Sequence, residues 1–545
     1  MMFKVDFEKA FDSVSWKFLD HMLSVLGFGA KWRSWIQSCL CSSRSSILIN
    51  GSPTSEFPIK RGLRQGDPLS PFLFIIVMEG LHIALQNAVG SGLIRGSKVG
   101  DSGLIISHLF YADDVVITSE WNSQDMDNII RVLHVFYLAS GLKLNIAKSN
   151  LYGIGVSLEE IEDMAHASGC APGIVPFTYL GLPIGSNMNS IMNWQPLIDR
   201  FHQKLSSWKA NLLSIGGRLT LIKAVLGSLG IYYLSIFKCP ESVLKILESI
   251  RASFFWGGSR DHKKMSWIKW DNILASYDKG GLNIGSLKAF NFALLQKWRW
   301  RLVTSPNSLW VRVVKAIHGD DTGIDLKGCI FNGTWANIVK SYSMLQSKDI
   351  IPMHTLRHKV GNGSSIRFWK DNWIGNGSLS SKYNRLFHLE VDANCLLSDR
   401  LSNGSWSWNW SRQNLGSRNE EALENLLTEI AHVSVNRSPD SWKWSIAHDD
   451  MFSVLDTRIH VDNAILPSLS PSIRWSKILP RKVNIFIWRL ILDRLPNRLN
   501  LSSRGLEISS ISCPLCNAAV ESIDRTFLIL RRMQCKISCQ SFGPQ

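Results

Sequence analysis

Phe3, Val5 and Phe7 alternate with Lys4 and Asp6, a period of two that predicts a short strand with one buried face. The spacing then lengthens. A helix is predicted from Trp16 to Leu26, closed by Gly27. Beyond Pro68 and Pro71, the run from Phe72 to Met78 is apolar on every side, which predicts a helix buried all round. Ile105 to Phe110 and Val115 to Thr118 are β-branched or aromatic runs parted by Tyr111-Ala112-Asp113-Asp114, the layout of a hairpin. Asn122 and Asp125 have cap and third-position spacing. Ile129, Leu133 and Phe136 then share one helical face, and Gly141 stops the element.

Four regions follow from these patterns: 1–186, with the densest signals; 187–340, largely helical; 341–465, rich in Trp, Ser and Asn; and 466–545. Between Arg200 and Lys223 there are five Lys or Arg and no acid, which suits either a phosphate-tracking stretch or a solvated helix face. The alternating Trp406, Trp408 and Trp410 suit either base stacking or one buried face of a strand. From Trp475 to Arg504 there are seven Lys or Arg and one Asp. Val483, Phe486, Ile487 and Leu490 form an apolar stripe, so this is a basic amphipathic helix that packs on its neighbour or binds nucleic acid.

Composition narrows the class. A chain of 545 residues has room for three or four packed units. With 45% hydrophobic and 19% charged residues, it is neither disordered nor a coiled coil. Sixty Lys and Arg against 44 Asp and Glu give +16, compatible with a polyanionic partner. Ten Cys are too sparse for a disulfide-built scaffold, so a reducing compartment is expected. No apolar signal run opens the chain. The uncharged apolar-leaning stretch Ala224 to Phe237 holds Ser and Tyr and falls short of the ~20 residues that span a bilayer, so a membrane-integral role is not expected.

The candidate chemistry lies in three segments. Asp6, set between Val5 and Phe7, needs a cation, a hydrogen bond or solvent. Asp113 and Asp114 repel each other, which favours a site holding a divalent metal, although paired acids are also ordinary turn residues. Three carboxylates on neighbouring strands can hold two Mg²⁺ ions ~4 Å apart, one activating a 3′-hydroxyl and the other steadying a triphosphate. Arg61-Gly62-Leu63-Arg64-Gln65-Gly66-Asp67-Pro68-Leu69-Ser70-Pro71 adds flexible glycines, two Arg and an amide before an apolar helix. That suits a backbone passing close to a nucleotide.

These segments resemble the reverse transcriptases of non-LTR (LINE-type) retrotransposons, in the form abundant in plants. The matching stretches are Val5 to Val14, Arg61 to Pro71, Phe110 to Asp114, Ser140 to Ser149 and Tyr179 to Gly185, in the family's order and spacing. The resemblance continues through Gly361 to Trp373 and Asp440 to Trp444 to the cysteines near 513. It implies an α+β chain: a right-hand polymerase palm of antiparallel sheet and helices, then a helical thumb and a mixed C-terminal region. It also implies an RNA-directed DNA polymerase that extends a primer 3′-hydroxyl with dNTPs on an RNA template. By position, Asp6, Asp113 and Asp114 match the metal-binding carboxylates. Phe11 matches the aromatic residue under the incoming sugar, and Gln65 and Gly66 match residues touching nucleotide and template. Arg61 belongs to the same nucleotide-binding loop, Tyr111 packs near the primer end, and Lys148 matches a lysine near the leaving pyrophosphate. Asp12 is expected to be structural.

Two departures bear on activity. The family places fingers elements before its first metal-binding Asp, here residue 6. The fingers are therefore expected to be largely missing, with a weaker triphosphate clamp, an exposed apolar side of the palm and no target nicking. The alternative function is a non-catalytic retroelement remnant that binds RNA or DNA. The tail resembles the family's zinc-binding region through Pro480 to Arg489 and Cys513-Pro514-Leu515-Cys516. Arg525 and Leu530, however, stand where the resemblance expects His and Cys. Cys535 and Cys539 supply a replacement pair, giving a four-thiolate set with Cys513 and Cys516. Nuclear location is expected from the family.

Overall fold

The computed structural model describes residues 1–205, 212–258, 264–319, 332–402, 404–469, 475–514, 517 and 520–523. The fold is α+β and divides into two compact units. The first comprises Met1–Ser186 with Ser308–Asp320, and the second Asn187–Asn307 with Asp321–Gln545. Helix Leu309–His318 thus belongs to the first unit, although its sequence lies within the helical stretch 187–340.

The first unit is built on a five-stranded sheet. Its strands are β1 (Met2–Val5), β2 (His108–Tyr111), β3 (Asp114–Thr118), β4 (Asn150–Tyr152) and β5 (Ala171–Gly173), in the spatial order β5-β4-β1-β3-β2. The sheet is mixed rather than antiparallel throughout, because β5 pairs parallel to β4. Phe3, Val5, Val115 and Ile117 cover one face and are wholly or almost wholly buried. Each such side chain contributes about 2 kcal/mol of apolar burial. Helices α1 (Trp16–Val25), α2 (Ser70–Gly90) and α3 (Ser123–Ser140) pack over that core. Asn122 caps α3 by accepting from the amides of Gln124 and Asp125. Gly141, at φ +82°, ends it, and Ile129, Leu133 and Phe136 face inward.

Two expectations need correction. Helix α2 is not buried all round: Phe72 is 66% and Ile75 54% exposed, while Leu73, Phe74, Val77, Met78, Leu81 and Leu85 form the inner face. The sequence of a uniformly apolar helix carries no sign of which face meets the sheet. Among the described residues, α2 is also the one helix long and apolar enough to cross a bilayer by length and composition, with Glu79 as its single charged residue. The strand expected over Ile105 to Phe110 is broken at Ser107. Leu104–Ile106 pairs with Ser97–Val99, and only His108–Tyr111 joins the main sheet.

The second unit is mostly helical with short paired strands. Trp406, Trp408 and Trp410 are half-buried, stacked at 6.2 and 5.3 Å between centroids, and packed on buried Phe368 and Trp369. Their role is therefore a packed face. In the basic helix Arg481–Ile491 the buried residues are Asn484, Ile485 and Trp488, whereas Phe486 is exposed. The face is rotated from the predicted stripe because the Trp488 indole turns inward to donate to the Gly280 carbonyl at 2.8 Å.

Candidate active site

Strand β1 ends at Val5, which stands opposite Val115 of β3. Carried on by one residue, this register sets Asp6 against Asp114. Both lie on the face opposite the buried Val5 and Val115. The β2–β3 turn is tighter than the four-residue connection expected: Tyr111 and Asp114 are still paired, so Ala112 and Asp113 alone make the bend, with Ala112 at φ +54°. Asp6, Asp113 and Tyr111 are exposed, and Asp114 is half-buried. No carboxylate oxygen of the three acids accepts a hydrogen bond or ion pair from a described residue. Adjacent strands thus gather three uncommitted acids at one end of the sheet. Their carboxylates do not yet converge: among the described residues no three His, Cys, Asp or Glu side chains are grouped to hold a metal ion.

Two further segments are tied to the same strand end. The amide of Asn145 donates to the Asp6 carbonyl at 2.8 Å, and the Asp6 amide donates to Ser149 Oγ at 3.0 Å. Ser149 is fully buried and in turn donates to the Asn145 carbonyl, so this clamp fixes the backbone of Asp6. Lys148 lies in the intervening turn and is exposed. On the other side, the Leu63 amide donates to the Phe11 carbonyl at 2.7 Å and the Gly62 amide to the Val14 carbonyl at 2.8 Å. Trp16 Nε1 donates to the Gly62 carbonyl at 2.7 Å. Gly62 is needed there: its φ is +90°, and a Cβ would come within 2.6 Å of the Asp12 carbonyl oxygen. The loop leaves Arg61, Arg64, Gln65 and Gly66 exposed beyond that staple. Phe11 is half-buried and stacks on Phe74 at 4.5 Å, so its ring is held in place.

Sequence reasoning assigned no role to Ser149 or Tyr179. The Tyr179 hydroxyl donates to the Asp114 carbonyl at 3.5 Å, and burial together with the Asp114 charge pushes its pKa up. Both lie in stretches that carried the resemblance, and the Asn145-to-Ser149 spacing of four was the available signal for the clamp.

Residues 1–184 match the reverse transcriptase (RNA-dependent DNA polymerase) family, and residues 463–540 match the family described as zinc-binding in reverse transcriptase. An uncharacterized mitochondrial protein of Arabidopsis thaliana is 34% identical over 120 residues, which cover 94% of that protein and 21% of this chain. The Pol polyprotein of a type-1 R2 retrotransposable element from Popillia japonica is 30% identical over 34% of this chain and 24% of its own length. Residues 1–184 belong to the reverse transcriptase family and are related to retrotransposon Pol proteins. An Arabidopsis thaliana protein named "Putative ribonuclease H protein" is 28% identical over 60% of this chain and 52% of its own length. The chain therefore spans about half, or less, of these longer relatives. Of the four cysteines expected at a zinc site, Cys513 is buried, while Cys516, Cys535 and Cys539 lie outside the described residues.

Proposed function

We propose that the first unit is the palm of an RNA-directed DNA polymerase of non-LTR, plant LINE type, with 187–340 serving as thumb. It joins a dNTP to a primer 3′-hydroxyl on an RNA template. The observation that carries this reading is the register that sets Asp6 against Asp114 at the Asp113 turn, with all three carboxylates uncommitted. The donor set fits Mg²⁺: three hard carboxylate oxygens, no thiolate or imidazole among them, on side chains free to rotate toward a shared ion. Bound Mg²⁺ would supply charge neutralisation at the attacking and leaving oxygens.

The chain's own groups do the rest. Arg61, Gln65 and Gly66, on a loop stapled to Phe11 and Val14, bind and orient the nucleotide and template. The Phe11 ring, backed by Phe74, rejects a 2′-hydroxyl. Lys148, beside the Asn145–Ser149 clamp, gives a proton to the leaving pyrophosphate, and Tyr111 packs at the primer end. The cysteines at 513, 516, 535 and 539 are the candidate Zn²⁺ ligands of the tail. A second reading, a non-catalytic remnant that binds RNA or DNA, is favoured by the failure of the three carboxylates to form one ligand group.

Primer extension on poly-rA/oligo-dT with dTTP and Mg²⁺ separates the two. Extension that falls about a thousandfold in Asp113→Asn supports the polymerase. Absent extension with retained, salt-sensitive binding supports the remnant.

A further inference from the structure

Two basic stretches that are remote in sequence meet in the second unit. Helix α4 (Ile215–Leu221) packs so closely on α5 (Arg481–Ile491) that a Cβ on Gly216 would lie 2.9 Å from the Lys482 amide nitrogen. Arg481 Nη1 donates to Thr220 Oγ1, 261 positions away, at 2.5 Å. This pairing makes a seam that sets Lys223 near Arg481, and Arg218 on a cavity that Arg489 also lines. Lys223 Nζ donates to the Tyr277 hydroxyl at 3.1 Å. Burial and the nearby Arg481 push Lys223 down to about 8.

Further along α5, the Arg489 guanidinium lies 5.8 Å from the Trp256 ring centre and 5.3 Å from that of Trp267. Arg504 lies 4.8 Å from Trp267. Among the described residues both arginines donate to carbonyls: Arg489 to Arg494, and Arg504 to Ser266 and Trp267. Among the described residues neither meets a carboxylate, and Arg489 is pushed down by burial and by Arg504.

Arg218, Trp256, Lys264, Trp267 and Arg489 line a cavity of about 520 Å³, with no Asp or Glu among its described lining. The groove on the Arg504 side adds Lys269 and Arg494, with Asp271 as its one described acid. Cations drawn together, partly desolvated and facing like charges raise the energy of the empty seam, and an anion relieves it.

We propose that this seam binds the phosphodiester backbone of a single-stranded nucleic acid, with Arg489 and Arg504 each holding a phosphate. Guanidinium forks match phosphate oxygens, and α5 extends ~12 Å from Arg481 to Arg489, longer than a single phosphate group. The recessed cations admit a strand that bends into the cavity, whereas a rigid duplex is held at the rim. The site depends on neither the metal nor the polymerase reading.

The test uses the full chain in EDTA, so that metal-dependent chemistry is silent. Fluorescence anisotropy with fluorescein-labelled oligo-dT is measured across a salt series. Arg489→Gln/Arg504→Gln is expected to bind about tenfold more weakly at 0.1 M salt. Its log–log salt slope should be shallower by about 1.4, at ~0.7 for each phosphate that is no longer neutralised. Arg489→Lys/Arg504→Lys should keep most of the slope. An unchanged affinity and slope in the Gln variant overturns the site. Displacement of oligo-dT by polyglutamate or by duplex DNA at equal concentration also overturns it, in favour of an acidic peptide or a duplex. Should the Gln variant fail to fold, photocrosslinking of 4-thiothymidine oligonucleotide to the wild-type chain gives the answer. Crosslinks within 256–267 or 481–504 support the site, and crosslinks confined to 1–186 overturn it.

Discussion

Asp114 and Asp440 occupy matching places. Each is half-buried, and each stands where a strand begins: Asp114 opens β3, and Asp440 precedes the strand Ser441–Trp444. Their surroundings differ completely. The Asp440 carboxylate accepts from the amides of Gly361, Gly363 and Ser365 and from the Ser365 hydroxyl, all at 2.8–2.9 Å. Those donors hold its pKa below the usual carboxylate range. The carboxylate of Asp114 accepts nothing from the described residues. A carboxylate that has saturated its acceptor sites with backbone amides is part of the architecture, whereas one left uncommitted beside two others is available to a ligand. The segment Gly361–Trp373 and the segment around Asp113 both carry the family resemblance, so the resemblance alone does not separate structure from chemistry. Hydrogen-bond satisfaction does.

The comparison is broken most sharply by substituting both acids. Asp440→Ala strands three amides and is expected to lower stability by about 4 kcal/mol, read by urea titration. Asp114→Asn is expected to move it by less than ~0.5 kcal/mol, because its carboxylate has no partner among the described residues to give up. Equal destabilisation at the two positions would end the distinction. Gly62→Ala comes next, at about 3 kcal/mol, since the positive φ and the Asp12 carbonyl both resist a Cβ. Loosening that staple should also raise KM for dNTP wherever extension is measurable.

After Asp440→Ala and Gly62→Ala comes a pH dependence. His108 Nε2 lies 2.6 Å from His82 Nδ1, and burial and His82 lower its pKa from 6.5 to about 4. The unfolded chain therefore takes up this proton first. The contribution is complete above pH 6.5 and is lost as pH falls toward 4. After discounting for its partial exposure, this amounts to about 2 kcal/mol. His108→Gln should flatten that part of the stability–pH curve, and an unchanged curve would exclude the pair as its source.

Local patterns anticipated much of the first unit because local physics determines it. The alternation of Phe3, Val5 and Phe7, the Asn122 cap and the Gly141 stop each act within a few residues, and each has its place in the structure. Patterns failed where the decision lay with a distant partner. Phe72 and Ile75 are as apolar as Phe74, and only the core shared with α1, α3 and the sheet selects which side is buried. Phe486 gave up its expected burial to Trp488, whose indole found a carbonyl 208 positions away.

By itself the sequence pointed to the family, to the strand at Met2–Val5, to the helices Trp16–Val25 and Ser123–Ser140, and to which acids to watch, but not to the helices Ala30–Cys41 and Leu158–Ser168 or the strands Asn150–Tyr152 and Ala171–Gly173. Motif spacing and side-chain periodicity are written directly in the chain. Only the tertiary structure decided that Asp6 faces Asp114, that Ser149 and Tyr179 hold their backbones, that Asp440 is already satisfied, and that the basic segments near 220 and 481 share one seam. Each of these depends on long-range pairing, and a linear order of residues does not state which distant donor will reach which acceptor.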